Sequence, residues 1–113
     1  SFIYSLFIFL TINTNFVCDN FPLEIDIRNN INGDFSKVEN ISNIEPGAFI
    51  NIFWNDKKLM LPYSPRAGFL SFSDKKWDFR YNFDKTTLNE ERPVLYELLS
   101  NGQFIEHKCY IAH

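Results

Sequence analysis

The residues of this chain whose types could do chemistry are two histidines, two cysteines and a run of lysines and aromatics in the middle. His107 and Cys109 stand two apart, and the other histidine is His113. Histidine is the side chain best suited to move a proton at neutral pH, and a thiol beside it could serve as a nucleophile. On a strand, however, residues two apart share a face without their polar atoms being aimed at each other. Cys18, the second cysteine, offers Cys109 a different use as one half of a disulfide.

Other catalytic and metal-binding constellations are weaker. The chain has no G-x-S-x-G, no H-E-x-x-H, no phosphate-binding glycine loop and no dinucleotide fingerprint. Two histidines and two distant cysteines do not make a zinc site. Asp74, Asp78 and Asp84 lie near one another in sequence, but their spacing matches no calcium loop and reads as solvated turn carboxylates. Glu90-Glu91, or Glu24 with Asp26, could in principle form an acid–base pair for glycoside hydrolysis; adjacent or alternate acids on exposed faces more simply serve solvation. The expectation is therefore a non-enzyme with no metal and no cofactor.

The richer signal is for binding. From Trp54 to Lys85 the chain carries Lys57, Lys58, Arg66, Lys75, Lys76, Arg80 and Lys85 against four aspartates, although the whole chain has a net charge of −3. Trp54, Tyr63 and Trp77 lie beside the same loops. Aromatic rings next to cationic side chains suit sugars, anionic glycans or lipid headgroups. Trp54 and Trp77 fall on the apolar faces of predicted strands and read as core. Tyr63 and Arg66, in the proline-bounded stretch from Pro62 to Gly68, are the better candidates for an exposed contact. Candidate binding residues are thus Tyr63, Arg66, Lys57, Lys58, Lys75 and Lys76, with the stretch from Asp84 to Pro93 as a second contact loop. The partner expected is an extracellular protein, glycan or cell surface; the alternative is engagement of anionic lipid. The acidic balance argues against nucleic acid. The aromatic excess, with 13 phenylalanines, also fits an A/T-rich coding composition.

The compartment follows from the first residues. No charge occurs from Ser1 to Cys18, and Phe2 to Leu10 is a continuous apolar run extended by Thr11 and Ile12. Its length suits the apolar part of a secretory leader and falls short of the roughly 20 residues of a spanning helix. The chain reads as a leader over 1–14 and one domain over 15–113, with a cut near Asn13-Thr14-Asn15. In an exported protein Cys18 and Cys109 pair. Asn40-Ile41-Ser42 is a candidate glycosylation triplet.

The elements that must position these residues are strands. Pro22 to Arg28 alternates with Leu23, Ile25 and Ile27 on one face. A short edge strand is expected around Lys37 to Ile41. Ala48 to Trp54 is apolar on both sides and reads as a central strand covered on both faces. Leu59 to Leu61 and Phe69 to Ser73 are short strands. Lys76 to Phe83 shows the clearest alternation, with Trp77, Phe79, Tyr81 and Phe83 against Asp78, Arg80 and Asn82. Val94 to Leu99 and Gln103 to Ile111 flank Asn101-Gly102, the strongest short hairpin signal. The expectation is an all-β, single-domain antiparallel sandwich of about seven or eight strands, with Cys18 ahead of the first.

Overall fold

A computed structural model describes residues 12–66, 70–81 and 92–112. They form eight strands: β1 (Asn15–Cys18), β2 (Phe21–Arg28), β3 (Phe49–Trp54), β4 (Lys57–Pro62), β5 (Leu70–Ser73), β6 (Trp77–Tyr81), β7 (Val94–Leu98) and β8 (Phe104–Ile111). All pairings are antiparallel, in one sheet ordered β4-β3-β2-β1-β8-β7-β6-β5. Chain neighbours therefore pair throughout, and the first strand pairs with the last. The two ends of the sheet meet at a seam between β4 and β5, bridged by Tyr63 opposite Phe72 and by Ser64 N–H to the Ser71 carbonyl at 2.8 Å. The expected all-β antiparallel domain is present. Its two faces belong not to two stacked sheets but to one up-and-down sheet, curled almost into a barrel.

Period-two patterning explains what fills the interior. Leu23, Ile25 and Ile27 point inward from β2; Ile50, Ile52 and Trp54 from β3; Trp77, Phe79 and Tyr81 from β6. Phe16 from β1 meets Tyr81 edge to face at 5.7 Å. Trp54 and Trp77 are both core, at 4% and 6% exposure. The outer face of β3 is less covered than its apolar sequence suggests: Phe49 is half-buried against Phe35 and Phe53 is exposed.

Tight turns fix the register. Asp19-Asn20 joins β1 to β2 and Asn55-Asp56 joins β3 to β4, each with both residues at positive φ (49° and 66°, 49° and 59°). Those angles belong to the type I′ turn, whose twist matches paired strands and which Asn and Asp tolerate better than other non-glycine residues. Asp74 closes the β5–β6 turn by accepting from the N–H groups of Lys76 (2.8 Å) and Trp77 (2.7 Å). Gly102, at φ 87°, sits in the β7–β8 turn. Because strand direction alternates along the sheet, all four turns lie at one end of the barrel.

Two features differ from the sequence expectation. Cys18 lies in a strand, since Asn15–Cys18 is β1 and not a lead-in to the first strand. The stretch around Lys37 to Ile41 makes isolated contacts instead of a strand: Lys37 bridges Arg28, Val38 N–H bonds the Ile27 carbonyl, and Ile41–Asn43 is a 3₁₀ turn. Ahead of β1, Ile12 is buried in the core, its N–H bonds the Glu39 carbonyl at 3.0 Å, and Asn13 N–H donates to the Tyr81 hydroxyl. The apolar run Phe2 to Leu10, the stretch 67–69, most of Asp84 to Pro93, and His113 lie outside the described residues.

Candidate functional site

Cys18 and Cys109 are direct cross-strand partners on β1 and β8, with Cα atoms 4.2 Å apart, and they form a disulfide. The bond joins the strands that bring the start and end of the sheet together, across a sequence separation of 91. Both cysteines are buried.

His107 lies on the same inward face of β8, at the turn end. Its Nδ1 meets an Asp19 carboxylate oxygen, and its Nε2 faces Glu97 Oε1 at 3.4 Å. Its ring packs on Trp54 with centroids 4.6 Å apart, and the Trp54 indole N–H donates to the Cys18 carbonyl at 3.0 Å. Glu97 is shared with Lys76, whose Nζ lies 3.5 Å from Oε2. These side chains close the turn end of the barrel interior with a polar plug. His107 is thus buried and held between two carboxylates, and the Cys109 sulfur is bonded to Cys18. A Cys–His nucleophile pair does not exist in this arrangement.

The candidate binding residues divide into two groups. Arg66, Lys75 and Lys76 line one cleft of about 460 Å³ on the outer face of β5 to β7, together with Asp78 and Arg80 from β6, Tyr96 and Leu98 from β7, and Phe104 from β8. Lys57 and Lys58 line a separate shallow depression with Phe21, Phe53 and Trp54, where Lys57 Nζ sits 5.8 Å from the Trp54 ring and Lys58 Nζ 5.7 Å from that of Phe53. Tyr63 belongs to neither. It is half-buried at the seam with its ring 5.5 Å from Phe72, so it seals the barrel. Asn40 stands half-exposed just before the 3₁₀ turn.

Inside the first cleft both lining carboxylates accept hydrogen bonds from the protein. Asp74 caps its own turn. Asp78 accepts from the buried Ser71 hydroxyl at 2.9 Å and from Arg80 Nε at 3.1 Å. The cations face outward: Arg66 reaches Asp78 only at 4.0 Å with its side chain 45% exposed, and the Lys76 side chain is 56% exposed. Lys75 is exposed and has no ion pair among the described residues. The Arg80 guanidinium lies over the Tyr96 ring at 4.8 Å. Phe104, at 67% exposure, leaves a bare aromatic face at the rim. Such a surface can hold an anion beside a flat apolar group.

Among the described residues, no group of three or more His, Cys, Asp or Glu side chains is placed to hold a metal. Asp84, the third of the suggested calcium carboxylates, and the Glu90-Glu91 pair lie outside the described residues. Asp26, on the outer face of β2, is engaged by Arg28 at 3.0 Å.

Sequence reasoning missed Asp19, Glu97, Tyr96 and Phe104 as site residues. The outward direction of Phe104, opposite His107, was nonetheless visible in the alternation of β8. The pairing of β8 with β7 followed from the Asn101-Gly102 hairpin signal; what was not visible is that this hairpin lies beside β6 and near the β5–β6 turn.

The fold and site define a disulfide-closed, eight-stranded antiparallel meander with a cationic and aromatic cleft on its outer face. The chain belongs to the family described as a domain of unknown function, DUF8671, which matches residues 26–109. No curated protein and no solved structure matches it.

Proposed function

We propose that this domain is a secreted, non-catalytic binding module that contacts an extracellular protein, glycan or cell surface through the cleft on the outer face of β5 to β7. The observation that carries the reading is the charge of that cleft: both lining carboxylates accept hydrogen bonds from the protein, Lys75 is exposed without an ion pair among the described residues, and Arg66 and Lys76 remain about half exposed beside Asp78 and Glu97. Secretion is supported by the Cys18–Cys109 disulfide, since such bonds persist in oxidising compartments. Non-catalytic use is supported by the commitment of His107 and Cys109 to structural partners.

The test is binding of the fluorescently labelled domain to intact eukaryotic cells. Saturable binding is expected, and it should weaken about tenfold or more when Arg66→Glu and Lys75→Glu are combined, because a ligand anion then loses two charged partners. Unchanged binding by that variant, with an intact fold by circular dichroism, would overturn the assignment of the surface. Absence of binding by the native domain would overturn the module.

A second reading has its own observation. Phe21 and Phe53 are exposed beside Lys57 and Lys58 at the turn end, as contact with anionic lipid would require. Flotation with phosphatidylserine vesicles, lost on Phe21→Ser with Phe53→Ser, would favour it over the first.

A further inference from the structure

The cleft also restricts what it can hold. We propose that its ligand is an acidic saccharide, with a sugar ring stacked on Phe104 and its carboxylate or sulfate group held by Lys75 and Arg66. The proposal rests on the binding-module reading and names the ligand class of the same site.

Three features select this chemistry. First, the cleft is lined by four cations, Arg66, Lys75, Lys76 and Arg80, against two carboxylates, Asp74 and Asp78, in a chain whose net charge is −3. Local and global charge have opposite signs, and both carboxylates are occupied by donors of the protein itself. An incoming anion meets Lys75, which has no ion pair among the described residues, and Arg66, whose contact with Asp78 is as long as 4.0 Å. Second, the apolar part of the lining is flat and aromatic. Phe104 is the most exposed of the large hydrophobic side chains among the described residues. The C–H face of a pyranose ring covers an aromatic face of that kind, whereas an acyl chain needs a longer apolar channel. Tyr96 offers less to a ligand, because Arg80 already lies over its ring. Third, a volume of about 460 Å³ lies within the range of small-ligand sites, roughly 300–1,000 Å³. Ser73 also lines the cleft, and its hydroxyl shares a 2.8 Å hydrogen bond with that of Ser64, leaving oxygen lone pairs for sugar hydroxyls.

The experiment is an amide chemical-shift titration of the ¹⁵N-labelled, disulfide-bonded domain with three tetrasaccharides of similar length: oligogalacturonate, heparin-derived and neutral cello-oligosaccharide. Binding of an acidic tetrasaccharide is expected, with shifts centred on residues 73–80 and 96–104 and affinity falling as salt rises. A preference for oligogalacturonate assigns a carboxylate, and a preference for the heparin fragment assigns a sulfate. Phe104→Ala should weaken binding by about fivefold or more while Phe104→Tyr retains it, which separates ring stacking from simple charge attraction. Equal binding of the neutral sugar, shifts centred on Lys57 and Lys58, indifference to Phe104→Ala, or no binding would each overturn the proposal. Cell binding that persists without saccharide binding would leave the module standing with a protein partner.

Discussion

Residues of similar chemistry have opposite roles here according to which face of a strand they occupy. Trp54 and Phe53 are adjacent, yet Trp54 is buried against His107 with its indole N–H on the Cys18 carbonyl, whereas Phe53 faces solvent. Trp54→Phe removes that hydrogen bond and leaves a buried carbonyl without its donor, so it should cost about 1–2 kcal/mol. Phe53→Ser should stay within about 0.5 kcal/mol, as expected of a surface change. Urea denaturation of the two variants compares them directly, and an equal loss would show that the outward face of β3 is covered. The direction of a side chain was largely legible in the alternating sequence, which marked Trp77 and Trp54 as core. Contacts across the barrel were not, because nothing local in the sequence says that Asp19 and Glu97 meet on His107. Tyr63 was misplaced for the same reason: two prolines mark an irregular stretch, but the seam that buries its ring exists only once β4 and β5 come together.

At the scale of elements, the type I′ turns set the strand register. Asn55 and Asp56 both hold left-handed backbone angles, at φ 49° and 59°. Asn55→Val places a β-branched side chain in that region and should cost about 1–3 kcal/mol. Asp56→Gly relieves the same restriction and should be neutral or stabilising by less than about 1 kcal/mol, since glycine adopts positive φ freely but loses more entropy on folding. Thermal unfolding of both variants checks the pair, and a destabilising Asp56→Gly would contradict the turn assignment. Seven of the eight strands could be read from period-two patterning and turn residues. β1 was hidden because its four residues adjoin an apolar run that reads as a leader, and because Phe16 and Val17 are both apolar although only Phe16 is buried. The suggested strand near Lys37 failed because that stretch spends its backbone groups on single bridges and a 3₁₀ turn.

For the whole molecule, closure is the central feature. A meander of hairpins can form from local signals, but pairing β1 with β8 joins segments 91 residues apart, and Cys18–Cys109 secures that pairing. In the loop-entropy description a link over such a span contributes roughly 4–5 kcal/mol. Replacing both cysteines by alanine should remove about that much, measured as the shift in urea unfolding, and should expose the His107 plug before the β5–β7 hairpins open. The order of strands around the barrel could not be read from sequence, since a sandwich and a curled meander share the same alternation and the same turns. The cleft depends on that order: the β5–β6 turn, Tyr96 and Phe104 are brought together by the β6-β7-β8 arrangement.

The binding reading stands on an oxidised, exported domain, so the most direct measurement is the mass of the protein recovered from the medium of a eukaryotic host, intact and after reduction with alkylation. The expected product lacks the apolar run from Phe2 to Leu10 and has both cysteines blocked to alkylation until reduction. Protein retained inside the cell, with Ser1 present and both thiols free to alkylate, would contradict it.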